Sequence, residues 1–555
     1  MVMVTIPGVQ RFVAESRRTA DLFASSGIMS TLAGTMADVA HAGGEVVMPS
    51  ASDSGVGIPN RVVVLAAAGT GAELARKMAA EAHARWERLL ADANAKPVAG
   101  FPDVQWVVAP PMPDGYEAQW RCAQDLLRRR KRIRNFAFAP VSQKRVCSLS
   151  GRWPADPDQA GGHAKPGEFL SDIGLVKRFS GGRRKFPSTW SIASAPYRAG
   201  LIELAERDPE CSAALAALEL LDDELRQAGG EDKGLPGFAR IAGKSDTEWL
   251  RQVEGAWCTP ETWHPDVLRR EYDLATRPDD ETCEVVRDTA KTLRRRAEEK
   301  GIARLSPYLA VLAQDADEMG KTLGDRDRAI GSFREWHQKV SAALGEAGKG
   351  QRQAIEDRLG SVVYAGGDDL LALLPMATAL RAAQRSAEAF EAALAGVVAG
   401  AQPTVSTALV FFHASSPLQS AVTAAQQLLE EAKSRARPGL AVAVQHRHGE
   451  RVRWVSPWRL KDDLAAARLD ALIKAMGGEG TLSPQLAMGV ERDAAELGTL
   501  TPDWLERELR RRAVRHGMPE QAGTALYALC ARRGDRVKVP VDALLVAQFL
   551  RGSNR

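Results

Sequence analysis

The order in which strand and helix signals recur constrains this chain more than any other feature. Two stretches spell the same order, strand, helix, strand, strand, helix, strand. In the first, a β run at Val2–Ile6 is followed by Pro7-Gly8, a long helical stretch from Val9 to about His41, and strands at Glu45–Met48 and Arg61–Ala66. A helix from about Gly71 to Leu90 and a strand at Val104–Ala109 close it. The second begins near Tyr308 with the strand Leu309–Ala313 and a helical stretch through about Ala347. A hairpin with arms Ser361–Tyr364 and Leu370–Leu374 follows, then a helix from about Ala377 to Gly396 and the strand Thr407–Phe412. Period-two runs joined by period-3.6 stretches in this order predict the ferredoxin-like plan. The fold class is therefore α+β, with two ferredoxin-like units. After the second unit, Ser416 before Pro417 reads as an N-cap to a helix reaching Ala436, and Leu440–Val455 as a hairpin.

Between and beyond these units the signals are helical. Residues 114–300 carry helices separated by Gly- and Pro-rich loops such as Asp156–Gly167 and Gly229–Gly237, and Thr501-Pro502-Asp503 opens an arginine-rich helix near the end. At 555 residues the chain exceeds one hydrophobic core. The division is a first unit over 1–113, a helical insert over 114–300, a second unit over 301–457 and a C-terminal helical region over 458–555.

A formal charge of +4, from 74 basic and 70 acidic residues, does not announce a nucleic-acid binder, so such contacts must come from clusters. The densest are Arg128–Arg134, Arg183-Arg184-Lys185 and Arg510-Arg511-Arg512; runs of this kind are most often solvated helix faces, and no aromatics interleave with them as a base-stacking platform requires. Six cysteines stand at 122, 147, 211, 258, 283 and 530 without paired spacing, which reads as reduced thiols in a cytoplasmic protein. The start, Met1–Ile6, reads as a strand and not as a signal peptide, and no apolar run reaches the roughly 18 residues of a membrane span, so no membrane partner is expected.

The hairpin of the second unit turns through Gly366-Gly367-Asp368-Asp369. Glycines permit positive φ and close approach of phosphates, while adjacent carboxylates repel unless a cation offsets them. Upstream, the first strand of the unit runs out into Asp315-Ala316-Asp317, and in a ferredoxin-like sheet that strand lies beside the hairpin. Period-two geometry puts Asp315 and Asp317 on one side if the strand stays extended. Asp315 with Asp368 and Asp369 can then hold two Mg²⁺ ions about 3.5 to 4 Å apart, the arrangement of nucleotidyl transfer. Either motif alone is commonly just a turn or a strand end.

In this order the motifs resemble the large palm-domain, cyclase-like subunit of type III-B (Cmr) CRISPR effector complexes. The matching pieces are Gly8–Phe12, Arg17–Leu22, Met48-Pro49-Ser50, Ile58–Arg61, Lys177-Arg178-Phe179, Phe186–Thr189, Trp257 through Trp263, Asp315–Gly320, Tyr364–Asp369 and Ser416–Gln419. The resemblance implies two palm domains that bind two ATP molecules between them and, on recognition of target RNA, join ATP into cyclic oligoadenylate. It implies Mg²⁺ or Mn²⁺ as cofactor, with the other Cmr subunits, guide RNA and target RNA as partners. Carried over, Asp368, Asp369 and Asp315 are the catalytic and metal-binding carboxylates and Asp317 a further metal ligand. Gly366, Gly367 and Ala316 line the nucleotide. Lys433 sits where related cyclases place a phosphate-binding lysine, a position that a solvated helix-end lysine also fits. Gly8 and Gln10 mark either a backbone approach to a second nucleotide or a plain helix start.

Three departures qualify the likeness. The chain opens on the first palm and has no His-Asp dipeptide, so cleavage by an N-terminal His-Asp nuclease domain is not expected. In Cys147-Ser148-Leu149-Ser150 a serine stands where a zinc site would place its second thiol, so zinc is not expected. The first palm's counterpart of the hairpin, around Val46–Ser50, has no carboxylate pair, leaving one catalytic centre between unequal halves. Two alternatives stay open: transfer of ATP to another acceptor such as S-adenosylmethionine, and an ATP-binding scaffold without synthase activity.

Overall fold

The computed structural model describes residues 1–50, 59–133, 145–155, 164, 167–182, 186–229, 250, 255–264, 266, 280–446, 449–460, 463–476, 485–533 and 536–553. The first sheet has strands β1 (Val2–Thr5), β2 (Gly44–Met48), β3 (Arg61–Ala66) and β4 (Gln105–Val108), in the order β2-β3-β1-β4. That order is the ferredoxin-like one. Its central strands β1 and β3 are buried on both faces, so they read as continuous apolar runs. Val2, Val4, Val62 and Val64 pack against the helices Thr19–Gly43 and Gly71–Asp92. Met1, Met3, Val63 and Val107 face the other way, onto Trp120, Ala123 and Leu127 of the helix Gly115–Arg132.

The single long helix expected from Val9 is two. Val9–Ala14 ends at Glu15, and a new helix starts at Thr19. The break has local causes: the Ser16 hydroxyl donates to the Val13 carbonyl at 2.8 Å, and the Arg18 amide donates to the Asp21 carboxylate at 3.1 Å as half of a capping box. From the insert, the buried Lys177 ammonium donates to the carbonyls of Phe12 and Glu15, at 2.5 and 3.0 Å, satisfying helix-end acceptors that would otherwise be orphaned.

The second sheet has six strands: β5 (Tyr308–Ala316), β6 (Ser361–Ala365), β7 (Asp369–Pro375), β8 (Val405–His413), β9 (Gly439–His446) and β10 (Gly449–Pro457), ordered β10-β9-β8-β5-β7-β6. The four from β8 to β6 repeat the ferredoxin-like order. Ala310 and Leu312 of β5 pack with the helices Phe333–Glu356 and Ala379–Leu394, whereas Leu309, Val311 and Ala313 pack with the helix Leu418–Ala436. That last helix crosses over to let β9 run parallel to β8. It starts one residue later than expected: Pro417 stands at the cap, and the Ser416 hydroxyl caps nothing.

The two units pack reciprocally. The helix Phe333–Glu356 of the second lies on β2 of the first, and the helix Thr19–Gly43 of the first lies on β6 of the second. A contact in which equivalent elements exchange places is the isologous arrangement of a symmetric dimer, here within one chain. Val13, Ala14 and Leu22 of the first unit enter the core beneath the second sheet. The helix Gly115–Arg132 is tied to the second unit as well: Trp120 stacks on His337 with ring centroids 3.8 Å apart, and Tyr116 bonds the same ring at 2.9 Å.

Candidate active site between the two sheets

Strand register, before any side chain is placed, brings the site together. The β5 ladders set Asp315 opposite Asp369, the last pair with β7, and opposite Ser406, the last but one with β8. The Ala316 amide donates to the Asp368 carbonyl at 2.6 Å, and the Gly366 amide to the Asp369 carbonyl at 2.8 Å, which closes the hairpin tip against the strand end. The tip glycines keep that closure free of side chains, and at Gly367 the backbone demands it. Gly367 has φ +93°, and a Cβ there would stand 2.2 Å from the Leu344 carbonyl oxygen; a Cβ on Gly366 would stand 2.6 Å from Asp369 Oδ1.

Asp368 is exposed to a cleft and Asp369 is half-buried beside it. The surrounding protein, first, and the Asp315 charge, second, push the Asp368 carboxyl above its ordinary range; for Asp369 the same desolvation leads, followed by Asp368 and then Asp315, and the rise is large. Tyr364 feels this field too: burial and then the three carboxylates push its phenol well up. Lys433, near the end of the Leu418–Ala436 helix, forms an ion pair with Asp315 and is largely buried. The helix-end lysine thus faces the carboxylates and not solvent.

Asp317 is placed differently. Past Ala316 the strand ends, and the Asp317 amide bonds the Thr404 carbonyl at 2.8 Å. Its carboxylate accepts from Ser406 at 2.8 Å and Thr404 at 2.9 Å, with Arg437 at 3.5 Å; burial raises its pKa and these hydroxyls oppose the rise. The chain then turns through Glu318 at φ +56°, a left-handed conformation that costs a non-glycine residue energy. Ala316 lines the cleft, but its amide is already taken by Asp368.

The cleft is a cavity of about 1090 Å³ whose walls come from both units. Asp315, Asp368, Lys433 and Arg437 form one wall, and Arg61 of β3 with Trp120, Arg121 and Arg128 of the helix Gly115–Arg132 form the other. Gly8 and Gln10 do not line it. Gly8 is the left-handed N-cap of Val9–Ala14 at φ +79°, and the Gln10 carbonyl accepts from Gln426 at 3.4 Å, on the same helix as Lys433 and about two turns before it. Among the described residues no three His, Cys, Asp or Glu side chains converge as a ready metal cluster, since Asp315 is turned onto Lys433. The donor chemistry nevertheless fits hard divalent cations: carboxylates held adjacent by register, with the Asp315 charge helping to raise the pKa of Asp368, and the Asp368 and Asp315 charges that of Asp369.

The family described as Cas10/Cmr2, second palm domain, matches residues 308–441, and the CRISPR-associated protein Cmr2 N-terminal family matches residues 1–111. Over those two stretches the chain matches the Cas10/Cmr2 family. The two ferredoxin-like units are its palms. Among solved structures, the type III-B Cmr-beta cryo-EM structure of the apo state superposes with a TM-score of 0.60 at 14% identity, covering 100% of this chain and 82% of that one. The Cmr-beta structure bound to cognate target RNA gives 0.63 at 14% identity, covering 100% and 83%. At that identity the likeness establishes the fold. No curated protein sequence matches the chain.

Sequence reasoning missed the opposite wall. Arg61 was visible only as the last residue of a motif piece, and Arg128 only as the start of a basic run. Of the other basic runs, Arg183-Arg184-Lys185 and Arg134 lie outside the described residues. Arg510, Arg511 and Arg512 are ion-paired to Glu506, Glu508 and Asp493, at 2.8, 2.7 and 2.8 Å. The six cysteines are free thiols, with Cys147, Cys211 and Cys283 packed in apolar cores. Among the described residues no helix is long and apolar enough to cross a membrane.

Proposed function

We propose that this Cas10/Cmr2 chain is the signalling subunit of a type III-B complex, a nucleotidyltransferase that joins ATP into cyclic oligoadenylate when the complex recognises target RNA. The observation that carries the reading is the cross-strand pair of Asp315 and Asp369, with Asp368 on the wall of a cavity shared by two palms. A scaffold has no use for carboxylates held so close that the charges of Asp368 and Asp315 raise the pKa of Asp369. The Cmr-beta relative's capture with cognate target RNA supports guide and target RNA and the other Cmr subunits as partners. The division into 1–113, 114–300, 301–457 and 458–555 is part of the same proposal.

Asp315, Asp368 and Asp369 would hold Mg²⁺ or Mn²⁺, which when bound supplies activation of an attacking hydroxyl and neutralisation of a leaving pyrophosphate. The chain's own residues do the rest. Gly366 and Gly367 keep side chains away from the hairpin tip so that phosphates can approach it. Lys433 is placed to exchange its Asp315 partner for a phosphate oxygen as nucleotide enters. The walls of the cavity orient two nucleotides and limit water.

The test is to incubate the assembled complex with ATP, Mg²⁺ and matching target RNA, with and without S-adenosylmethionine, and to identify products by mass spectrometry. Cyclic oligoadenylate from the wild type and none from Asp368→Ala/Asp369→Ala is the expected result. Equal product from that double variant would sink the site assignment.

A further inference from the structure

The register that makes the catalytic pair in the second palm has a counterpart of opposite charge in the first. The last pair of the β5–β7 ladder is Asp315 with Asp369, and the last pair of the β1–β3 ladder is Thr5 with Arg61. Asp369 is the first residue of β7 and Arg61 the first of β3. Arg61 therefore occupies, in the first palm, the structural position that Asp369 occupies in the second. Both palms also carry a register shift in the preceding strand, between Val46 and Met48 and between Val362 and Tyr364, so the local geometry at the two positions is alike.

Arg61 differs from every other cation on the cavity wall. Arg121 is paired with Glu117 at 2.5 Å, Arg128 with Asp125 at 2.6 Å, Lys321 with Glu318 at 2.5 Å and Arg437 with Glu318 at 3.2 Å, and Lys433 holds Asp315. Among the described residues the Arg61 guanidinium makes no hydrogen bond or ion pair, although it is substantially enclosed. An enclosed guanidinium remains charged and needs an anion. The charge of Asp368, across the cavity, acts on it, and its own charge is felt by Lys131.

We infer that Arg61 is a phosphate-binding residue supplied from the first palm, contacting the β- and γ-phosphates of the nucleotide whose α-phosphate reacts at the carboxylates of the second. The inference rests on the nucleotidyl-transfer reading above. In that step a ribose hydroxyl oxygen forms a bond to the α-phosphorus, and the bond from that phosphorus to the α,β-bridging oxygen breaks. Pyrophosphate leaves with the bridging oxygen, and the hydroxyl proton passes to solvent. Negative charge grows on the departing pyrophosphate, opposite the carboxylate wall, where Arg61 presents a planar fork of donors. The first palm thus takes part in the chemistry through the cation that stands where the second palm has an acid.

The experiment uses full-length chain in the assembled complex and the variants Arg61→Ala and Arg61→Lys. Affinities for α,β-methylene ATP and for AMP are measured by calorimetry in EDTA, so that no divalent ion contributes. Arg61→Ala weakens the triphosphate analogue about 10- to 100-fold and leaves AMP unchanged, and Arg61→Lys recovers part of the loss. Equal weakening of both ligands, or of neither, overturns the inference. Should Arg61→Ala fail to assemble, Arg61→Lys alone decides: intermediate loss on the triphosphate with AMP unaffected supports it, and no loss overturns it. The parent reading fails separately, through full turnover by Asp369→Asn, whatever Arg61 does.

Discussion

The two palms share a plan and differ in what they place at its end. Each has a first strand whose last residue faces the first residue of a hairpin arm, Thr5 with Arg61 in one palm and Asp315 with Asp369 in the other. The first pair combines a hydroxyl with a cation, the second two like charges. Like charges across adjacent strands destabilise a sheet, and desolvation of the Asp369 site adds to that. The first palm lies in its sheet without that strain. On the proposed function, the second palm keeps a destabilising arrangement that its chemistry would need, and the first places a cation at the same position.

Asp369→Asn breaks that asymmetry most severely. On the proposed function, removing this carboxylate is expected to lower product formation by roughly a thousandfold or more, read as pyrophosphate release by the complex with target RNA. The same change should make the folded chain more stable at neutral pH in EDTA. The folded-state pKa of Asp369 is raised, so ionisation at neutral pH opposes folding, and an amide avoids that opposition. As pH falls through the folded pKa toward the ordinary 3.8, the wild-type carboxyl becomes protonated as well, and the advantage of Asn closes. A thermal melt series over pH checks this; a variant less stable than wild type at pH 7 would show that the carboxylate serves folding.

The strand and helix order of both palms was legible because period-two runs of Val, Leu and Ala sit between long helical stretches, and register then followed from the fold plan. Asp315, Asp368 and Asp369 were legible for the same reason: strand ends and hairpin tips are marked locally by Gly and Asp. The break at Glu15–Arg18 was legible only in part: Ser16 and the Arg18–Asp21 cap are local, but the helix-end carbonyls are also taken by Lys177, far along the chain. Asp317 also exceeded local reading, because its surroundings are set by Thr404 and Ser406 on β8. Arg61 carries no motif of its own. Its importance appears only when the two ladders are laid side by side.

Glycines sharpen the comparison in stability. Gly367 and Gly8 both have positive φ, +93° and +79°, but a Cβ on Gly367 would strike the Leu344 backbone at 2.2 Å whereas one on Gly8 meets nothing within 4 Å. Gly367→Ala should cost about 3 kcal/mol or more, strain and overpacking together, and displace the hairpin. Gly8→Ala should cost only about 1 kcal/mol, the conformational strain alone. Denaturant unfolding of the two variants side by side tests this; equal losses would mean that the tip of the second palm is not tightly packed.

A third expectation concerns the joint that fastens the helix Gly115–Arg132 to the second palm. His337 is fully buried, its ring bonded to Tyr116 at 2.9 Å and to the Leu323 carbonyl at 2.8 Å. Burial lowers its pKa from 6.5 to about 4, partly opposed by the Leu323 bond. Because the unfolded chain takes up a proton that the folded chain refuses, stability is constant above 6.5 and falls as pH drops from 6.5 toward about 4. The loss should be about 2 kcal/mol near pH 5. His337→Gln should flatten this part of the pH profile, and an unchanged slope would assign the acid sensitivity to another group.

The smallest effect is expected at the rim of the seam between the palms. Glu45 on β2 accepts from Arg334 at 2.8 Å and from Gln338 at 3.0 Å, both on the first helix of the second palm. Glu45 and Arg334 are each more than 40% exposed, so water screens their attraction. Glu45→Ala should therefore change stability by less than about 1 kcal/mol, and by less still at high salt. Beneath the rim, the seam is filled by apolar groups from both palms, including Val47 of β2 with Val340 and Leu344 of the facing helix. Val47→Ala should cost more than Glu45→Ala, about 1 to 2 kcal/mol from a cavity in the core. If the order were reversed, charge rather than packing would be what holds two chemically unequal palms in one reciprocal contact.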